Sequence, residues 1–331
     1  MNNVIFNYLF KNQFLGALFV VAILYVAIAL KEILAIIFIS FIIMATLAPS
    51  VDFLRQNRMP NILAVLIPYL TFISVIVLIV VPLVPFFISQ LQSLFLTFPR
   101  YIDQTMQILN LNLDMYDLNG IFTKDITDIG KNAFLFTGKI FTGVFSFIAV
   151  FVISFYFMLG RENIKKEIPA FFPKGSEHKV ETVISKVEDK LGSWFRGQIA
   201  LSFIISIVTW IILTLLKVPF AIPLAILAGI LEIVPTIGPI LAAIPAVIVG
   251  LSISPILAIS VIVSYVVIQM LENNILVPKI MEKAVGLNPI VIIIGVMIGA
   301  KLMGILGALL SVPFIATLVI LFQNLKTTST K

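Results

Sequence analysis

Residues Pro219 to Leu251 read PFAIPLAILAGILEIVPTIGPILAAIPAVIVGL, a run with one charge, Glu232, just ahead of a Pro-Thr-Ile-Gly-Pro interruption. A straight helix of that length would extend roughly 50 Å at ~1.5 Å per residue, well past the ~30 Å hydrocarbon core of a bilayer. The means to bend lies in the run itself. Pro235 and Pro239 lack amide hydrogens and clash with a continuing helix, while Gly238 tolerates positive φ, so two half-helices are expected to meet near residues 235–239. Backbone groups freed there must be buried in protein or line a wet cavity. The alternative is one long, kinked and tilted span whose prolines only shape packing.

Composition fixes the class. The 331 residues are 60% hydrophobic and 11% charged, with a mean hydropathy of +1.15, whereas soluble domains are about 25% charged. The fold class is all-α: a polytopic helical membrane protein of about eight membrane elements, with the lipid bilayer as its first partner. A net charge of +6 does not indicate nucleic acid here, because Lys and Arg cluster in connecting segments, where they set membrane orientation. The absence of cysteine excludes disulfides and thiolate metal sites, and the single histidine, His178, cannot form a ligand cluster. No phosphate-binding loop, Ser/His/Asp set or nucleotide-binding region is present, so no enzyme, cofactor, metal or ATP-driven pump is expected.

Going outward from the decisive run, residues 1–88 hold the N-terminal membrane helices. Ala27-Ile28-Ala29 has the look of a cleavage site, but another apolar run follows at once, and residues 14–30 are read as an uncleaved span. Residues 33–48 form a second span that Pro49 ends, residues 50–60 a polar loop, and residues 61–88 a kinked third span. Residues 89–133, rich in aspartate, are expected to be an extracellular amphipathic segment, and residues 134–160 a further membrane helix. Residues 161–198 hold eight of the 22 Lys and Arg and are placed in the cytoplasm, which puts the N- and C-termini inside the cell membrane. Within them Val180, Val183, Ile184, Val187, Leu191 and Trp194 recur at helical steps, predicting an amphipathic helix under the bilayer or against a neighbouring subunit. A span at 199–216 then opens the core region, 199–331.

That region contains a second overlong apolar run, residues 289–322, interrupted by Gly299-Ala300-Lys301-Leu302-Met303-Gly304. At a constant offset of 66, Pro223 meets Pro289, Gly229 meets Gly295, Gly238 meets Gly304 and Ala242 meets Ala308. Residues 199–251 and 255–322 are therefore read as an inverted repeat, each an ordinary span followed by a broken helix or re-entrant hairpin (219–251, 289–322). Such repeats build sites between their halves near the bilayer midplane.

The segments GQIALSFIISIV from Gly197, GILEIVPTIGP from Gly229 and LENNILVPKIMEKAVGLNPIVIIIGVMIGAKLMGILGALLSVP from Leu271 resemble the autoinducer-2 exporter (AI-2E) family of bacterial membrane proteins over essentially the whole chain. The resemblance implies a secondary transporter exporting a small polar molecule such as the autoinducer-2 signal of quorum sensing, or a sodium or lithium/proton antiporter. It also implies a homo-oligomer, with a pentamer as the suggested form. A non-transporting membrane scaffold is the reading from a different class.

The transport pathway is assigned to Glu232, Pro235 and Gly238 of the first long run, Glu272 and Asn273 of the preceding polar turn, and Lys301 and Gly304 of the second. An ionised side chain in hydrocarbon costs roughly 3 kcal/mol on insertion scales, so Glu232 and Lys301 should face protein or water. Lys301 is expected to bind substrate or to neutralise Glu232 or Glu272. The structural alternative is an ion pair that only holds the repeats together, with Glu272 and Asn273 acting as caps at the interface.

The hairpin topology puts Lys283 in the cytoplasm. A Lys283→Cys variant, free of background thiols, is expected to resist impermeant thiol reagents in intact cells, and ready labelling there would overturn the topology.

Overall fold

The computed structural model describes residues 28–78, 133–173, 175–234, 237–281 and 288–326, with isolated positions elsewhere, and the regular structure among them is entirely helical. The greater part of the first span, the 89–133 segment, Pro235, Glu282 and Lys283 lie outside the described residues. Helix α1 is Lys31–Gln56, α2 is Asn61–Leu78, α3 is Ala133–Leu159, α4 is Arg161–Ala170 and α5 is Glu177–Leu215. The overlong run gives α6, Ala221–Leu231, and α7, Ile237–Ile253. Next comes α8, Pro255–Leu271, started by Ser254, whose hydroxyl accepts from the Leu257 amide at 3.1 Å ahead of Pro255. A π-helical turn, Glu272–Leu276, leads into α9, Val277–Ile280, and the chain closes with α10, Pro289–Lys326. Five of the described helices are long and apolar enough to cross a bilayer.

Two sequence expectations are corrected here. Pro49 does not end the second span, because α1 continues to Gln56 with Pro49 inside it. A proline cannot donate to the carbonyl four residues back, and here that carbonyl, Ala45, accepts instead from Arg196 Nη1 at 3.2 Å, with Thr46 accepting from the same nitrogen at 2.9 Å. Nor are 161–198 and 199–216 separate elements. Apart from α4, they form the single 39-residue helix α5, ~58 Å long at 1.5 Å per residue, about half of which exceeds the hydrocarbon core. Part of its apolar stripe is used within the chain, where Leu191 and Trp194 are buried in one cluster with Ala35, Ile42 and Leu310. Gly192 permits this approach, since a Cβ there would overlap the Ala45 carbonyl.

Those contacts run α1 antiparallel to α5, and at one end they meet a charged network. The chain bends by 76° between α3 and α4, which brings Arg161 to Asp52 of α1 at 2.8 Å and to Glu188 of α5, while Lys165 reaches Glu188 at 3.0 Å. Glu188 is buried. Burial works against the Arg161 charge, but its bonds to Glu188 and Asp52 prevail and hold the guanidinium above its ordinary pKa.

The network fixes the direction of the two overlong runs, and both are hairpins. In the first, Gly229 of α6 packs on Ser202 and Ser206 of α5, and the Gln198 side chain reaches the Glu232 carbonyl. The tip therefore points along α5 toward the charged network. In α10 the backbone leaves helical geometry at Met303 and at Gly304 (φ 62°, ψ −141°). Beyond that point Gly307 lies against Gly299, and Ile315 against Gly295, so the chain has doubled back. This tip points the other way. Its Leu302 carbonyl accepts from Lys31 Nζ at 3.0 Å, at the far end of α1, while Asn324 meets Lys186 at the network end at 3.2 Å. An ordinary helix followed by a hairpin thus occurs twice, with opposed hairpins, as the inverted-repeat reading requires.

Removing one partner of a buried ion pair costs about 3–5 kcal/mol. Glu188→Ala, which strands Lys165 and leaves Arg161 with Asp52 alone, is expected to lower the melting temperature in detergent. An unchanged melting temperature would show that the network does not hold α1, α4 and α5 together.

Candidate functional site

The interruption of the first hairpin begins at Glu232, slightly earlier than expected. Helix α6 stops at Leu231, α7 starts at Ile237, and Pro239 falls in the first turn of α7, where a missing amide hydrogen is not needed. Gly238 is buried, and a Cβ on it would overlap the Leu231 carbonyl, so the two arms close directly on each other. The adjacent carbonyl, that of Glu232, accepts from Gln198 Nε2 at 2.9 Å.

The Glu232 side chain is 1% exposed and Glu272 is 4% exposed. The two carboxyls face each other, with Gln269 beside Glu272. Glu272 is therefore not a cap at the membrane interface. It begins the π turn and continues the buried face of α8 formed by Ala258, Val261, Tyr265 and Ile268, while Asn273 and Asn274 stay exposed. Asn273 keeps a peripheral place, its Oδ1 accepting from Gln269 Nε2 at 3.5 Å.

Two ionised carboxylates in contact out of water repel each other. One oxygen of each, Glu232 Oε2 and Glu272 Oε2, has no hydrogen-bond partner among the described residues. Buried polar atoms of this kind are otherwise paired. No described Lys or Arg forms a salt bridge with either glutamate. The expected counter-ion is elsewhere: Lys301 is exposed, next to Leu302 at the outward tip of α10, where that tip meets Lys31. Ion-pair reasoning matched opposite charges without knowing which end each tip reaches.

Gly304 shares this separate location. Nothing lies within 4 Å of a Cβ built on it, so its constraint is the positive φ and not close packing. Of the residues assigned from the sequence, the structure brings together Glu232, Gly238 and Glu272, with Asn273 at the rim. It sets Lys301 and Gly304 apart, and Pro235 is outside the described residues. Gln198 is the site residue that sequence reasoning missed. Its signal was present in the polar series Gln198, Ser202, Ser206 and Thr209 along an otherwise apolar span.

Gly238→Ala is expected to lower thermal stability by pushing α6 and α7 apart, whereas Gly304→Ala, whose methyl meets open space, costs only backbone strain of about 1–3 kcal/mol. An unchanged melting temperature for Gly238→Ala in detergent would contradict the close contact at the first tip.

With this geometry in view, similarity to known proteins becomes informative. The model of the AI-2E family of transporters matches residues 17–327. The chain is 26% identical over 303 residues to "Putative transport protein YrrI" of Bacillus subtilis (strain 168), covering 87% of this chain and 85% of that protein. It is also 26% identical over 291 residues to "Putative transport protein YueF" of the same organism, covering 82% and 79%.

Proposed function

We propose for this chain, which belongs to the AI-2E family of transporters, that it is a secondary transporter whose Glu232–Glu272 pair exchanges a proton for a cation while a small polar solute crosses the bilayer. The observation that carries this reading is a pair of buried, facing carboxyls at a helix break, with an unpartnered oxygen on each side chain.

Adding or removing net charge inside hydrocarbon is costly, so the inexpensive transition at such a pair is one that conserves charge. When a monovalent cation enters between the carboxyls, their shared proton leaves, and the charge of the site is unchanged. Carbonyls freed by the break and the side-chain oxygens of Gln198 and Gln269 supply the neutral ligands that an alkali cation prefers. Opposed hairpins on either side of the site give each face of the membrane its own closing element, as alternating access requires. Export of a solute such as autoinducer-2, with proton or cation movement in the opposite sense, is the physiological form of this cycle. Sodium or lithium/proton antiport is the same exchange without the solute.

The test uses purified protein in liposomes loaded with a pH-sensitive dye, with sodium or lithium gradients imposed and autoinducer-2 efflux followed in parallel. Wild-type protein is expected to move protons in response to the cation gradient. Glu232→Gln and Glu272→Gln should each reduce that response to the level of empty liposomes while remaining monodisperse in detergent. A stable Glu232→Gln protein with full gradient dependence would remove the proton-exchange role. Absence of any flux by wild-type protein would favour the scaffold reading.

A further inference from the structure

We infer that a file of buried hydroxyls on α5 and α8 carries water between the carboxyl pair and the end of the bundle opposite the charged network. Gln198, Ser202, Ser206 and Thr209 recur at helical spacing along one face of α5. That face receives the first hairpin, since Gly229 sits on Ser202 and Ser206. Thr209 is 1% and Tyr265 9% exposed, and neither hydroxyl, nor that of Ser202, has a hydrogen-bond partner among the described residues.

Their placement is directional. Thr209 is eleven residues beyond Gln198 on α5, ~16 Å, and Tyr265 is seven residues back from Glu272 on α8, ~10 Å. Both lie on the side away from Glu188, and Tyr265 packs in the cluster that includes Leu213 and Leu224. The unpartnered oxygens of Glu232 and Glu272 terminate the series.

Packing alone does not account for these groups. Val in place of Thr209 and Phe in place of Tyr265 would fill the same space without burying a hydroxyl. A threonine in a helix can satisfy itself on the carbonyl four residues back, as Thr46 and Thr317 do here at 2.7 and 2.9 Å. Thr209 does not, which leaves its hydroxyl available to water, a molecule that needs two to four polar partners when buried. The series supplies them at intervals from the pair outward. This inference extends the exchange-site reading by giving the site a route to one face, and labelling reports water access without reference to flux.

The chain has no cysteine, so single replacements can be followed in sealed membrane vesicles of both orientations with a charged, impermeant methanethiosulfonate reagent. Ser202→Cys and Thr209→Cys, both close in size to the native residues, are compared with Val249→Cys, fully buried in the neighbouring apolar cluster. Lys217→Cys, exposed at the far end of α5, identifies the relevant face. Both test positions are expected to react at least about tenfold faster than Val249→Cys, from the face that labels Lys217→Cys. Rates equal to that of Val249→Cys, or labelling from the opposite face alone, would overturn the inference while leaving the role of the carboxyl pair to the flux assay.

Discussion

A helix interrupted inside a bilayer leaves backbone carbonyls that water cannot reach, and each must be covered by protein. Three backbone carbonyls, one beneath Pro49 and one at each hairpin tip, organise this molecule, and a side chain from a different helix donates to each. Arg196 donates to Ala45 beneath Pro49, Gln198 donates to Glu232 at the first hairpin, and Lys31 donates to Leu302 at the second. Every interruption thereby doubles as a tertiary contact. A carbonyl satisfied from a distant helix fixes the rotation and depth of both partners, which lipid-facing apolar packing does not do.

Two of the three donors lie near each other on α5, and this makes α5 the axis of the assembly. Its stem is tied to α1 and α4 by Asp52, Arg161 and Glu188, and its middle holds the first hairpin. The carboxyl pair depends on this arrangement twice over. Glu232 is placed by the hairpin tip that Gln198 holds, and Glu272 by the buried face of α8, on which Val261, Tyr265 and Ile268 precede it. A rigid clamp, a hairpin and a buried helix face thus converge on one pair of acids.

What the sequence revealed of this follows from what a local pattern can encode. The hairpins were legible because Pro, Gly and an isolated charge interrupt runs too long to cross once. Glu232 stood out for the same reason. The continuity of α5 was not legible, because an amphipathic pattern gives way to an apolar one near Gln198, and that change marks a new environment and not a new conformation. Pro49 was read as a stop because its acceptance depends on Arg196, 151 residues from the carbonyl it reaches. Glu272 was read as a pathway residue with an interfacial cap as the alternative, because one helix does not show what covers the face that Glu272 shares with Tyr265 and Ile268. Lys301 was paired with the acids because charge complementarity carries no information about which way a hairpin points.

The length of α5 acts as a depth gauge. Gln198 is ten residues from Glu188, ~15 Å along a straight helix, about half the thickness of a typical hydrocarbon core. With the ionic stem held at the interface, this rigid distance sets the separation between the acids and the nearer aqueous phase regardless of the host lipid. The remaining separation, on the other side, is whatever the bilayer supplies. Longer acyl chains therefore lengthen one of the two approaches to the site and leave the other unaltered, making an asymmetric response to membrane thickness a built-in property of the fold.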